Sequence, residues 1–94
     1  GLRIDTVQRR VWRQQEEIRL RAMEYKLLAY LAARVGETVS RSEIWEHLYD
    51  DDSEAVSNVV DVYIACLRRK LDRPGDRSLI ETRRGFGYVL RKLA

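Results

Sequence analysis

Four apolar residues, Val60, Ile64, Leu67 and Leu71, recur at three- and four-residue spacing in the stretch SNVVDVYIACLRRKL, from Ser57 to Leu71. That is the period of one face of an α-helix, so the stretch reads as a helix with this face buried. The helical rotation sets Asn58, Val62, Ala65, Cys66 and Arg69 on the opposite side. A solvated face normally carries Lys and Glu. This one is short, small and nearly uncharged until its C-terminal end. Small side chains let a helix lie close against a partner, and Val62 has no reason to point at water. The bland alternative is a surface helix with a few tolerated apolar residues, because folded surfaces are still largely apolar by area.

The rest of the chain bounds what that partner can be. Ninety-four residues make one domain, residues 1–94, with a single modest core. A hydrophobic share of 45% beside 35% charged residues describes a globular chain and not a disordered one. No apolar run approaches a membrane span, and the opening GLRIDTVQRR lacks the apolar core of a signal peptide. The lone Cys66 cannot form an internal disulfide and fits a reducing, cytoplasmic compartment. The chain starts at Gly1 and not Met, as a piece of a longer protein would. The net charge is only +3, but it is unevenly placed. Residues 1–55 carry 9 basic and 11 acidic side chains, and residues 56–94 carry 9 basic and 4 acidic ones. The excess of positive charge sits with the helix and everything after it, which suits an anionic partner.

Taken in order, the first twenty residues read as short strands at Leu2–Asp5, Arg10–Arg13 and Glu17–Leu20, with Gln14-Gln15 as a polar turn. Ala22 to Val35 reads as a helix with Met23, Leu27, Leu28, Leu31 and Val35 on one face, ended by Gly36. Thr38-Val39 is a brief extended piece. Ser40-Arg41-Ser42-Glu43 has the form of a capping box, so a second helix starts there and runs to about Leu48, with Ile44 and Leu48 inward and Trp45 at the edge of the core. Tyr49 to Glu54 is an acidic loop. The third helix, about 55–71, ends before Pro74-Gly75. Leu79–Thr82 and Tyr88–Arg91 read as strands around the turn Arg83-Arg84-Gly85-Phe86-Gly87, a hairpin tipped by two arginines.

Sheet, three helices and a basic-tipped hairpin are the parts of an α+β winged helix-turn-helix. One helix of such a fold enters the DNA major groove, which is wide enough for it and shows a distinct pattern for each base pair. The hairpin, residues 79–91, is the wing and reaches the adjacent groove or the phosphates. Four pieces carry a family resemblance. They are Glu24-Tyr25-Lys26-Leu27-Leu28, Val39-Ser40-Arg41-Ser42-Glu43-Ile44, the run Val60-Asp61-Val62-Tyr63-Ile64 with Leu67-Arg68-Arg69-Lys70-Leu71, and Thr82-Arg83-Arg84-Gly85-Phe86-Gly87-Tyr88. Each is weak alone. Together, in this order over nearly the whole chain, they resemble the OmpR/PhoB-type winged-helix effector domain of bacterial response regulators.

The resemblance implies a site and partners. The domain would follow a receiver domain phosphorylated by a sensor kinase and would bind tandem repeats of double-stranded DNA near promoters. The DNA-contacting residues implied are Arg41, Tyr49, Asn58, Val62, Tyr63, Cys66, Arg68, Arg69, Thr82, Arg83 and Arg84. Val62 stands where relatives make an apolar base contact, and Arg68 and Arg69 can reach phosphate. Cys66 and Ala65 stand where arginines are frequent, which points to a different or weaker base preference. Asn58 can make a two-pronged contact to adenine or can cap the helix, and the residues alone leave both open. Asp61 reads as support for the helix N-terminal turn. Arg21 replaces a helix-capping Thr, so that helix start is expected to fray. The acidic loop Asp50, Asp51, Asp52, Ser53 and Glu54 corresponds to the segment that contacts RNA polymerase; a merely solvated connection is the alternative.

The isolated domain is expected to be monomeric, and paired or in tandem on DNA. No cofactor and no metal are expected. An enzyme would need Asp50-Asp51-Asp52 and Glu54 to hold Mg²⁺, but adjacent acidic residues in an extended loop point different ways, and one histidine allows no Ser/His/Asp set. The other competing function is a winged helix that binds protein through the Val62–Ala65–Cys66 patch.

Overall fold

A computed structural model describes residues 1–48 and 58–92. Strands β1 (Leu2–Asp5), β2 (Arg10–Arg13) and β3 (Glu16–Ile18) form an antiparallel sheet in that order. The Asp5 carboxylate accepts the Val7 and Gln8 amides at 2.9 and 3.0 Å and shapes the first turn. Gln14 takes a left-handed conformation, φ +58°, so Gln14-Gln15 closes a two-residue turn and Arg13 lies opposite Glu16. β3 therefore begins at Glu16 and ends at Ile18, earlier than the expected Glu17–Leu20. Val11, Arg13 and Ile18 turn inward from this sheet.

Helix α1 (Ala22–Ala32) stops short of the expected Val35. The Arg34 amide donates to the Leu31 carbonyl, a tighter turn than the α-helix makes, and Gly36 at φ +83° leads the chain away so that its amide reaches the Leu90 carbonyl at 2.9 Å. Val35 is left exposed. The start of α1 is closed from an unexpected side. Arginine offers no acceptor, but the Glu24 carboxylate accepts the Arg21 amide at 2.8 Å and so satisfies one amide at the end expected to fray. Helix α2 (Arg41–Leu48) has Ser40 as its cap, the hydroxyl accepting the Glu43 amide at 3.1 Å. Glu43 does not complete the box; its carboxylate accepts the Tyr30 hydroxyl at 2.8 Å and ties α2 to α1.

Helix α3 (Asn58–Leu71) has the rotation its apolar repeat requires: Val60, Ile64, Leu67 and Leu71 are all fully buried. They pack with Leu27, Leu28 and Leu31 of α1 and Ile44 and Leu48 of α2 in one core that also takes in Val11 and Ile18 of the sheet. Each such side chain contributes about 1.5–3 kcal/mol relative to exposure.

Strands β4 (Ile80–Arg83) and β5 (Gly87–Leu90) form the terminal hairpin, with Arg83 opposite Gly87 across the turn Arg84-Gly85-Phe86. Both boundaries differ by one residue from those expected, because Gly87 extends the ladder toward the tip while Leu79 packs into the core outside it. Val39 joins this hairpin as a single bridge: its amide and carbonyl exchange hydrogen bonds with Tyr88 at 2.8 and 2.9 Å. The architecture is a winged helix-turn-helix, sheet–α1–α2–α3–wing. Among the described residues no helix is long and apolar enough to cross a membrane.

Candidate nucleic-acid interface

The outward side of α3 is apolar in its middle and basic toward its end. Val62 is 58% exposed, Ala65 and Arg69 are exposed, and Cys66 is half-buried. Tyr63 sits beside this strip, half-buried against the core. Among the described residues the Arg69 side chain makes no hydrogen bond or ion pair.

The wing is held against one flank of α3 at two points. Near the helix start, the Asp61 carboxylate accepts the Tyr88 hydroxyl and pairs with the Arg41 guanidinium at 3.2 Å. Asp61 does lie in the first turn, where the helix dipole favours it, but its contacts give it a second role as well, since they gather α2, α3 and the wing around one carboxylate. Two turns later Arg68 donates through Nε and Nη2 to the Ile80 carbonyl at 3.1 and 2.8 Å, and through Nη2 to the Thr82 hydroxyl at 2.7 Å. The expected phosphate contact of Arg68 would compete with all three bonds.

Side chains alternate along β4, so Thr82 looks toward Arg68 while Glu81 and Arg83 share the other face. Glu81 collects three arginines there: Arg77 in a short contact, Arg83 at 3.3 Å and Arg91 at 3.7 Å. Arg83 is thus partly neutralised. Arg84, past the strand end, is exposed and makes no hydrogen bond or ion pair among the described residues. Next to it Phe86 is 75% exposed, and no periodicity of the sequence marks it as a surface aromatic. Between the start of α2 and the wing lies an open groove of about 390 Å³, bordered by Ser40, Arg41, Ser42, Arg84 and Tyr88. Backbone amides at a helix start favour anions, and here they share the groove with three arginines, Arg41, Arg83 and Arg84.

Of the residues expected to contact DNA, the structure brings Arg41, Thr82, Arg83 and Arg84 to one groove and sets Val62, Cys66 and Arg69 on one side of α3. Tyr49, the loop Asp50, Asp51, Asp52, Ser53 and Glu54, and the side chain of Asn58 lie outside the described residues. The titration of the tyrosine at the centre follows its surroundings. Burial and then the bond to Asp61 push the Tyr88 phenol up, and Arg41 opposes them only in part. Tyr88 therefore remains a donor at neutral pH.

Residues 14–90 match the family model described as "Transcriptional regulatory protein, C terminal". The chain is 48% identical over 91 residues to the transcriptional regulatory protein TcrA of Mycobacterium tuberculosis, covering 97% of this chain and 36% of that protein. It is 42% identical over 91 residues to the response regulator ArlR of Staphylococcus haemolyticus, covering 97% of this chain and 42% of that one. The chain spans about two-fifths of the length of these relatives. Among solved structures it is similar to the RstA DNA-binding domain of Klebsiella pneumoniae, determined in complex with the RstA box. The TM-score is 0.84 at 31% identity, over 96% of this chain and 90% of that one. The DNA-binding domain of CpxR from E. coli superposes with a TM-score of 0.84 at 28% identity, over 99% and 92%. Fold, motif order and these similarities agree: the chain belongs to the OmpR/PhoB-type family of C-terminal domains of transcriptional regulatory proteins.

Proposed function

We propose that this domain binds double-stranded DNA sequence-specifically as the output domain of a phosphorelay transcription regulator. The carrying observation is that an exposed strip of α3, Val62 to Arg69, stands beside a wing that presents Arg84, unpaired among the described residues, in a fold similar to a domain solved on its DNA box. α3 lies in the major groove, with Asn58, Val62 and Cys66 toward bases and Arg69 toward phosphate. Tyr63 and Tyr49 add contacts to DNA, Tyr49 to its backbone. Arg41 reaches phosphate beside the start of α2, and Thr82, Arg83 and Arg84 carry the wing to the adjacent groove. The domain is a binder and not an enzyme, and its reading needs no metal and no cofactor.

The partners follow from the same reading. A receiver domain occupies part of the longer protein, promoter DNA carries tandem sites, and the domain works in the cytoplasm. The isolated domain is a monomer that assembles in tandem on DNA. The acidic loop Asp50, Asp51, Asp52, Ser53 and Glu54 faces RNA polymerase, because four carboxylates repel phosphates and must lie off the DNA. Replacing Asp51, Asp52 and Glu54 with alanine should leave DNA affinity equal or higher and reduce promoter activation; loss of DNA binding would place the loop in the interface. Selection of bound duplexes from a random pool tests the main reading. It should return a common sequence motif, and a selected pool as random as the input would remove sequence-specific binding.

A further inference from the structure

Binding DNA through both α3 and the wing requires the two elements to meet adjacent grooves at once. Leu79, Ile80, Tyr88 and Leu90 share the apolar core with α3, and within that packing few polar contacts fix the direction of the wing. Asp61 holds β5 through Tyr88, and Arg68, two helical turns on, holds β4 through the Ile80 carbonyl and the Thr82 hydroxyl. The Arg68 fork suits this placement. Its Nε and Nη2 share one carbonyl while Nη2 also serves a hydroxyl, a planar arrangement that an ammonium on a flexible stem does not reproduce. The same guanidinium stands 5.7 Å from the centroid of the Tyr88 ring, so it touches both strands of the wing. A group directed this way into the fold is poorly placed to neutralise phosphate as well. Its neighbour Arg69, exposed and without a partner among the described residues, is placed for that.

We infer that Arg68 is a positioning residue that fixes the wing on α3, and so sets the phase between the base pairs read by the helix and those reached by the wing. This rests on the DNA-binding reading. A wing free to shift on α3 would still touch phosphates on any duplex but would lose the correct two-groove register. Specific binding should therefore suffer more than non-specific binding. A phosphate contact behaves differently: its removal weakens every duplex alike and lowers the salt slope.

The test uses Arg68→Lys and Arg68→Ala in the 94-residue chain, with a duplex selected by the unmodified protein and a mixed-sequence duplex, titrated over a range of KCl. Arg68→Lys keeps the charge and loses the fork. It should lower the ratio of specific to non-specific affinity roughly tenfold, the scale of one mismatched base pair, with the salt slope unchanged. Amide exchange in the free protein should quicken in both variants at Tyr88, whose amide donates to the Val39 carbonyl at 2.9 Å, a readout that needs no DNA. The inference is overturned if Arg68→Lys retains the ratio while Arg68→Ala lowers the slope by about 0.9 on both duplexes, which is the signature of a phosphate contact. It is equally overturned if wing exchange is unaffected, or if exchange quickens and the ratio stays. If the unmodified protein prefers no sequence, the DNA reading fails by itself, and the exchange experiment still decides whether Arg68 holds the wing.

Discussion

The phenol of Tyr88, on the returning strand of the wing, donates its proton to the Asp61 carboxylate in the first turn of α3. One hydrogen bond thus joins residues from the two elements that would meet DNA. Tyr88→Phe removes it and leaves the ring in place. Because Asp61 also pairs with Arg41 and is 39% exposed, water and arginine compensate in part, and the expected cost is about 1 kcal/mol by denaturant unfolding. The sign with pH is set by the raised phenol. The stability it contributes is complete below the ordinary tyrosine range and is lost as pH rises through the folded value. Tyr88→Phe should flatten the alkaline fall in stability.

Glu24 gives the acid-side counterpart. Burial pushes its carboxyl up, but the ammonium of Lys70 and the Arg21 amide together outweigh burial, and the net direction is down. Its contribution is therefore present above the ordinary carboxylate range and is lost as pH falls through the lower folded value. Glu24→Gln should cost about 2 kcal/mol at neutral pH. That is less than for a fully buried pair, because Lys70 is 34% exposed. The same variant should lose less stability than the unmodified chain on acidification, as unfolding midpoints at pH 7 and pH 3 will report.

Gly87 admits no side chain. A β-carbon there would stand 2.0 Å from the Val39 carbonyl oxygen, and the backbone is at φ +143°. Gly87→Ala must push apart the Val39–Tyr88 bridge or strain the strand, at a cost of about 3 kcal/mol or more. The expected result is a large drop in the unfolding midpoint; an unchanged midpoint would mean that the bridge is not closed in solution.

Arg84→Ala separates binding from folding. With no partner among the described residues, the side chain supports nothing among them. Thermal stability should stay unchanged while affinity for a selected duplex falls by about 1–3 kcal/mol if the guanidinium reads a base edge, and by less if it meets only phosphate. Equal affinity at matched salt would remove the wing tip from the mechanism.

Much of this fold is legible in local pattern. The rotation of α3 follows from Val60, Ile64, Leu67 and Leu71 because helical burial repeats along the chain, and the hairpin follows from Gly85 and Gly87 because a tight turn needs their backbone freedom. What stays hidden is where long polar side chains end. Arg13 reads as a surface residue of a strand, yet it is 9% exposed, donating to the Leu71 carbonyl and pairing with Asp76 at 3.3 Å. Its place two residues after the buried Val11 was the available signal, since strand neighbours at that spacing share a face. The partners, some sixty residues away, leave no period in the sequence. Arg68 is hidden for the same reason: its neighbour Arg69 is the same residue type, and only the packed wing distinguishes a fork that holds a strand from one free to reach outward.

Whether α3 and the wing together neutralise DNA phosphates and read bases shows in the salt dependence of binding to a selected duplex. The logarithm of affinity should fall linearly with the logarithm of salt, with a slope near −0.9 for each phosphate neutralised. If Arg41, Arg69 and Arg84 each neutralise one phosphate, the slope is roughly −3 per domain, with a mixed-sequence duplex bound more weakly at every salt concentration. A slope near zero, or equal affinity for the two duplexes, would contradict the account.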